Sequence, residues 1–188
     1  MKVKRLECVK PDWIRVVNAA RRTVGKPPIN KEPSGRFKRQ ILLAEHSPIR
    51  LLEYDFTWED IKQWITAHFV RHHEGCEKFV HSQRTDRNEL LKGLDRDGLP
   101  QGLLNDMDMT CNAQAFINVS RKRLCRQASK ETRQAWELVI EYLKEVDPIL
   151  AEKCAPECIY RGFCPEKNCC GYVNSNEYQK QLNVYRKV

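Results

Sequence analysis

The sequence contains no hydrophobic run that approaches the length of a membrane span. Crossing a bilayer as a helix takes roughly 20 consecutive apolar residues, and the apolar stretches of this chain are much shorter. The first residues, MKVKRLECVK, also lack the apolar core of a secretory signal peptide. These absences predict an intracellular, cytoplasmic protein with no membrane association.

Two common ligand-binding patterns are absent as well. No Gly-x-Gly-x-x-Gly motif occurs, so the phosphate-binding turn of a Rossmann domain is not expected. No two cysteines have the Cys-x2-Cys spacing that is usual for zinc ligands. Any cofactor or metal site in this chain therefore uses a different arrangement.

Positive charge is one of the two features that the chain has in excess. Its 188 residues include 33 Lys and Arg against 25 Asp and Glu, which gives a net charge of +8. The hydrophobic fraction of 41% is typical of a globular protein, and the length suits one domain with a core and a small appendage. The charge favours anionic partners, either nucleotides or nucleic acid.

Cysteine is the second feature in excess, with nine residues. An odd number without a secretion signal indicates thiols or metal ligands more than a disulfide framework. Two interpretations are favoured, a structural zinc ion or free thiols, while an iron–sulfur cluster or disulfides are further alternatives. The expected zinc ligands lie near the C-terminus and are Cys154, Cys158, Cys164 and Cys169, with Cys170 as the alternative to Cys169.

Hydrophobic periodicity predicts a mixture of strands and helices. Thr57 with Asp60, Thr110 and Ser129 are expected to cap three of the helices at their N-termini. Residues 86–108 are polar and are predicted to form a long surface loop. The predicted strands cover residues 1–9 and 49–56, and the predicted helices cover 13–24, 36–45, 58–72, 111–125 and 130–146.

A basic segment over residues 71–87, RHHEGCEKFVHSQRTDR, is the strongest candidate for ligand binding. Arginine side chains match phosphate oxygens in a bidentate manner, and the hydroxyl of Ser82 adds a further donor. The segment therefore predicts a site for a phosphorylated or otherwise anionic ligand. A solvated basic loop is the alternative, and it accounts for most charge-rich segments.

Four blocks in order resemble the flavin-dependent thymidylate synthases (ThyX). Arg71-His72-His73, then eight residues and Ser82-Gln83-Arg84, is similar to the signature of that family, although His73 stands in place of an arginine and the spacer is one residue longer. Gln114 also stands where the family often has arginine. The other blocks are Ala20-Arg21-Arg22-Thr23, then His46-Ser47-Pro48 leading into Tyr54-Asp55-Phe56-Thr57, and lastly the spaced set Asn112, Asn118, Arg123, Ala128 and Glu131.

The resemblance, which spans roughly residues 15–146, implies a fold and an activity. The fold is α+β, with a mixed sheet flanked by helices and with active sites where the subunits of a homotetramer meet. Residues 1–150 would form the catalytic domain, and residues 151–188 a cysteine-rich extension outside the resemblance. The activity is reductive methylation of dUMP to dTMP, with FAD as cofactor and with NADPH and methylenetetrahydrofolate as co-substrates.

The resemblance also implies roles for particular residues. Arg123 would bind the uracil and stabilise developing negative charge, and Ser82 is the second catalytic candidate. Contacts to dUMP are implied for Ser82, Gln83, Arg84, Arg96 and Arg123. Contacts to FAD are implied for Thr23, His46, Arg71, His72, His73, Asn112 and Asn118.

Two alternatives remain open at this point. One is an enzyme of the same fold that hydroxymethylates a pyrimidine nucleotide or uses another nucleotide. The other is a non-enzymatic, zinc-containing nucleic-acid-binding protein, which explains the charge and the cysteines. That second alternative leaves His46-Ser47-Pro48 and the spacing of Asn112, Asn118 and Arg123 unexplained, so nucleic acid is not the expected partner.

Overall fold

A single antiparallel sheet forms the centre of the computed structural model, which describes residues 1–9 and 12–188. Lys10 and Pro11, just before the first helix, lie outside the described residues. The sheet has the order β1-β2-β4-β3, and all three strand pairings are antiparallel, where the family resemblance implied a mixed sheet. The strands are β1 (Lys2–Cys8), β2 (Glu53–Lys62), β3 (Cys76–Val80) and β4 (Leu104–Asn112).

Eight α-helices accompany the sheet in the described chain, so the α+β class is confirmed. Ser129 caps the longest helix as predicted, because its side chain accepts a hydrogen bond from the backbone N–H of Thr132. The helices are α1 (Trp13–Thr23), α2 (Gly35–Leu43), α3 (Gln63–Phe69), α4 (Ala113–Arg123), α5 (Lys130–Val146), α6 (Pro148–Lys153), α7 (Glu157–Arg161) and α8 (Asn176–Arg186).

The predicted helix over residues 58–72 is wrong in its first part. Thr57 does not cap a helix, because β2 continues to Lys62 and α3 begins only at Gln63. Tyr54, Phe56 and Trp58 are buried in alternation along β2, and this two-residue period outweighs the local capping signal at Thr57. The predicted strand over 49–56 correspondingly starts too early, since Ser47–Leu51 form a short 3-10 helix.

Two further predictions need correction around β4. Residues 86–108 are not a loop throughout, because β4 begins at Leu104 and two short 3-10 turns precede it. Thr110 lies within β4, and the residue that caps α4 is Asn112, whose Oδ1 accepts from the N–H of Ala115 at 2.9 Å. Strand β3, within the basic segment, was not predicted, since five residues are too few to show a period.

Aromatic side chains fill the space between the sheet and helices α4 and α5. Phe56, Trp58, Phe116 and Trp136 are all at most 2% exposed, and their rings meet at centroid distances of 4.9 to 6.1 Å. The indole Nε1 of Trp136 donates to Ser120 Oγ on α4 at 2.8 Å. This layer fixes α4 against the sheet, which matters because α4 ends at Arg123.

The C-terminal part of the chain has a small apolar cluster of its own, formed around Ile159, Tyr178 and Tyr185. The buried Nζ of Lys153 donates to the carbonyl oxygens of Tyr185 at 2.6 Å and Lys187 at 2.9 Å, which ties the end of α8 to α6. Helix α6 includes residue 150, which was the predicted boundary between the catalytic domain and the C-terminal extension, and it packs on α2 and α5. Among residues 1–9 and 12–188, no helix combines the length and apolar character needed to cross a lipid bilayer.

Candidate functional site

Arg123, the last residue of α4, is held in a fixed orientation by two groups from the segment that follows β2. Its Nε donates to Nε2 of His72 at 2.9 Å, and its Nη2 donates to the carbonyl oxygen of His68 at 2.5 Å. Burial, and then the charge of Arg71, lower the pKa of Arg123, which nevertheless stays a cation at any physiological pH. The other N–H groups of its guanidinium make no hydrogen bond within the described residues and are free for a ligand.

His72 is a neutral acceptor for Arg123. Burial, followed by the charges of Arg123, Lys78 and His73, lowers the pKa of His72 to about 4. The imidazole is therefore uncharged at neutral pH, and its Nε2 lone pair faces the arginine Nε–H. The ammonium group of Lys78 on β3 also donates to the carbonyl oxygen of His72, so the loop after α3 is tied to the sheet.

His68 connects the same segment to α5. Its Nδ1 lies 2.9 Å from Oγ1 of Thr132, a fully buried residue in the first turn of that helix. Burial and the neighbouring Arg123 lower the pKa of His68 as well. No local pattern in the sequence indicates this contact, because His68 and Thr132 are 64 positions apart.

Asn112, at the other end of α4, is positioned by a close backbone approach. Its N–H donates to the carbonyl oxygen of Gly75 at 2.9 Å. Gly75 has φ +71°, and a Cβ at this position would lie 2.5 Å from Asn112 Nδ2. Only glycine fits such a contact without displacing the Asn112 amide.

Asn112 and Asn118 line an open cleft of about 670 Å³, which we call the amide cleft. Glu45 also lines the cleft and accepts hydrogen bonds from Gln114 Nε2, at 2.6 Å, and from Arg121. A volume of this size is within the usual range for small-molecule sites. The cleft is lined by Glu45, Arg50, Glu74, Gly75, Asn112, Gln114 and Asn118, of which Glu45 and Arg50 flank the predicted His46-Ser47-Pro48 block.

The residues assigned to the nucleotide phosphate form a separate, exposed group after β3. The Arg84 guanidinium makes a two-point ion pair with Asp86, with distances of 3.0 and 2.6 Å, and this pairing lowers the pKa of the Asp86 carboxyl. Ser82 Oγ accepts from the Arg84 N–H at 3.2 Å, and Arg96 lies close enough to contribute to the field at Asp86. No hydrogen bond or ion pair among the described residues joins this group to Arg123.

The remaining predicted ligands are placed as follows. Thr23 is exposed at the end of α1, where its Oγ1 donates to the carbonyl oxygen of Ala20, and no described contact links it to Arg123. His46 is exposed next to Glu45 of the amide cleft, while Arg71 and His73 are exposed on either side of His72. Gln83 is half-buried beside Ser82.

The predicted metal ligands do not all come together. Cys158, Cys164 and Cys169 line an enclosed cavity of about 20 Å³, together with Cys125 and Cys170. Cys154 lies elsewhere, in the main core, and is 4% exposed. Within residues 1–9 and 12–188, no three His, Cys, Asp or Glu side chains are already arranged to hold a metal ion.

Residues 87–149 match the family described as "Thymidylate synthase complementing protein". A curated relative from Pyrococcus horikoshii, named flavin-dependent thymidylate synthase, is 36% identical over 73 residues. That alignment covers 37% of this chain and 30% of the relative, so the matched segment spans less than a third of the relative's length.

Solved structures extend the likeness to most of the chain. Thymidylate synthase X from Helicobacter pylori, crystallised with FAD and dUMP, superposes with a TM-score of 0.65 at 15% identity and covers 82% of this chain and 99% of that one. PolB from Streptomyces cacaoi, a UMP/dUMP methylase bound to 5-Br dUMP, has a TM-score of 0.62 at 16% identity and covers 86% and 96%. At 15% and 16% identity, the superpositions establish that this chain has the same fold as these two proteins.

Proposed function

We propose that this chain is a member of the flavin-dependent thymidylate synthase family and converts dUMP to dTMP by reductive methylation. The proposed cofactor is FAD, and the co-substrates are NADPH and methylenetetrahydrofolate. The observation that carries the proposal is the arrangement of Arg123, since it lies inside the family-matched segment and its guanidinium is held by His72 and His68 with donors left free. The net charge of +8 is consistent with anionic substrates.

In this proposal Arg123 acts on the uracil ring. Methylation at C5 requires that carbon to become nucleophilic, which places negative charge on the neighbouring carbonyl oxygen. A permanent cation held at that oxygen stabilises the developing charge without needing to reorganise. His72, neutral and hydrogen-bonded to Nε, keeps the guanidinium plane in position while adding no second positive charge to the site.

The amide cleft is the proposed FAD site. Its volume suits a ligand of that class, and it presents the amide nitrogen of Asn118 together with the Arg50 guanidinium as donors for carbonyl and phosphate oxygens. Gly75 leaves room for the Asn112 amide at the same wall. When bound, FAD supplies the redox chemistry, and the residues of the chain bind and orient it.

The side chains of Ser82, Arg84 and Arg96, the proposed ligands of the nucleotide phosphate, are all exposed. No hydrogen bond or ion pair among the described residues joins them to Arg123. Exposed ligands of this kind are accessible to a substrate that is bound between two copies of the chain. We accordingly propose a homo-oligomer, a tetramer by family resemblance, with dUMP bound between subunits.

The eight described cysteines are all free thiols, which fits a reducing compartment such as the cytoplasm.

A second candidate substrate is UMP. The neighbour PolB is described as a UMP/dUMP methylase, and its fold matches this chain over 86% of its length. The two nucleotides differ only at the 2′ position of the ribose. Product analysis with dUMP and UMP in parallel, each at equal concentration, distinguishes the two substrates.

Flavin retention tests the cofactor assignment. The purified chain is mixed with FAD, desalted, and its visible absorption is recorded with and without dUMP. We expect retained flavin bands that shift when dUMP is added, because the proposed reaction requires the uracil to lie against the flavin ring. Replacing Asn118 by alanine should lower flavin retention, whereas replacing the exposed Asn174 by alanine should leave it unchanged. Complete loss of flavin from the unmodified protein, with and without dUMP, would contradict the assignment.

A further inference from the structure

Five of the nine cysteines converge on one cavity that the proposed reaction does not use. They come from three places in the chain: the connection between α4 and α5 (Cys125), helix α7 (Cys158), and the segment between α7 and α8 (Cys164, Cys169 and Cys170). All of them carry free thiols. Such a convergence is not expected of surface cysteines scattered at random, because the residues are up to 45 positions apart along the sequence.

The thiols are near one another as well as near the cavity. Cys158 lies close enough to Cys125 and Cys164 to interact electrostatically with both. Cys164 in turn interacts with Cys169 and Cys170. The cavity measures about 20 Å³. That is room for one body the size of a water molecule or a metal ion.

The segment that carries Cys164 and Cys169 has little else to hold it in place. Residues 162–171 contain no regular helix or strand, and most are exposed. Gly162 and Gly171, at the two ends of the segment, have φ of +82° and +80° and make the turns that direct it back towards α7 and α8. Gln127 Nε2 donates to the carbonyl oxygen of Asn168 at 2.6 Å, which brings the segment next to Cys125.

Contacts among the lining residues hold Cys169 and a cation at the cavity. The N–H of Gly171 donates to Cys169 Sγ at 3.4 Å. Arg126 stacks over the Tyr172 ring at 4.2 Å, and both residues line the cavity. Four thiolates around one divalent ion carry a net negative charge, which a cation in the lining partly offsets.

We propose that Cys125, Cys158, Cys164 and Cys169 bind a single zinc ion, which fastens the C-terminal segment to the end of α4. Four thiolates around one ion is a common structural zinc site. The ligand set differs from the one expected from sequence spacing, because Cys125 takes the place of Cys154. Cys154 is unsuited to the role, since it is packed in the main core and does not line the cavity.

Binding requires the thiols to close on the ion. They are not yet arranged at ligand distance in the described structure, and zinc–sulfur bonds of about 2.3 Å need them to move together. The exposed segment over residues 162–171 provides the freedom for this movement. Because Cys125 lies two residues beyond Arg123, the ion also immobilises the chain immediately after the proposed catalytic arginine.

Metal analysis of the full-length chain tests the site. Protein purified without chelators and dialysed against metal-free buffer should retain about one zinc per chain. Single replacements of Cys158 or Cys164 by serine should weaken zinc retention at least about tenfold, measured by competition with a chromophoric chelator. Cys154→Ala and Cys170→Ser are the matched controls and should retain zinc.

A second measurement uses the unmodified protein, so that it tests the site even if the cysteine variants fail to fold. In the unmodified protein, added zinc should slow the alkylation of Cys164 and Cys169 relative to metal-free protein, as followed by mass spectrometry, while a chelator should restore the faster rate. Protein that contains no zinc and whose thiols react at the same rate with and without added zinc would overturn the proposal. Iron with acid-labile sulfide in place of zinc would overturn the single-ion assignment, and zinc loss in Cys170→Ser but not in Cys169→Ser would overturn the choice of the fourth ligand.

Discussion

Replacing Arg123 by alanine is expected to lower kcat for dTMP formation by about 10²–10³-fold, the usual effect of removing one group that stabilises developing negative charge. FAD binding should change little, because Arg123 does not line the amide cleft. His72 and the carbonyl oxygen of His68 would lose the donor that they share. The measurement is steady-state turnover beside flavin retention on the same preparation.

Two further variants test whether the loss of kcat is specific to the guanidinium group of Arg123. Arg123→Lys keeps the charge but loses the two-point geometry towards His72 and His68, so most of the loss in kcat should remain. Lys130→Ala removes an exposed cation at the start of α5 and should leave kcat unchanged. Turnover by Arg123→Ala within about threefold of the unmodified protein would remove Arg123 from the catalytic role.

Replacing Trp136 by alanine is expected to lower the free energy of unfolding by about 3–5 kcal/mol. Trp136 is fully buried, packs against Phe56, Trp58, Phe69 and Phe116, and donates to Ser120 Oγ. The substitution leaves a large cavity under α4 and removes the partner of a buried hydroxyl. Urea denaturation, followed by far-UV circular dichroism, gives the change in the free energy of unfolding.

The control for this prediction lies on the same helix. Tyr142 is 43% exposed and faces away from the core, so Tyr142→Ala should change the free energy of unfolding by less than about 1 kcal/mol. Trp136→Phe keeps much of the ring volume but loses the indole N–H, and an intermediate loss is expected. Equal stability of Trp136→Ala and the unmodified protein would show that the aromatic layer does not support α4 as described.

Local patterns in the sequence predicted those elements in which one strong signal acts alone. Helix α5 occupies the predicted range 130–146 and has the predicted cap Ser129, so both predictions are confirmed. The β2–α3 boundary was mispredicted because Thr57 and Asp60 imitate a helix start inside a strand whose alternating burial is decided by the sheet. The decisive information there is tertiary, since a strand gains its partners from distant residues.

The candidate site shows the same difference between what local sequence patterns reveal and what depends on tertiary contacts. The family resemblance named Arg123 and His72, but their hydrogen bond joins residues 51 positions apart, which no local pattern reveals. Likewise, Cys125 was not among the expected zinc ligands, since 32 residues separate it from Cys158 and only the packing of α7 beside α4 brings the two together. Residue types with distinctive chemistry could be found from the sequence, whereas their partners required the fold.

The most direct test of the central claim is tritium release from dUMP labelled at C5. Methylation replaces the hydrogen at this carbon, so turnover transfers the label to water. We expect release that depends on FAD, NADPH and methylenetetrahydrofolate together, and that is lost in Arg123→Ala. A flavin-loaded protein that releases no tritium with all three present, or that releases it equally in Arg123→Ala, would contradict the proposed methylation of dUMP.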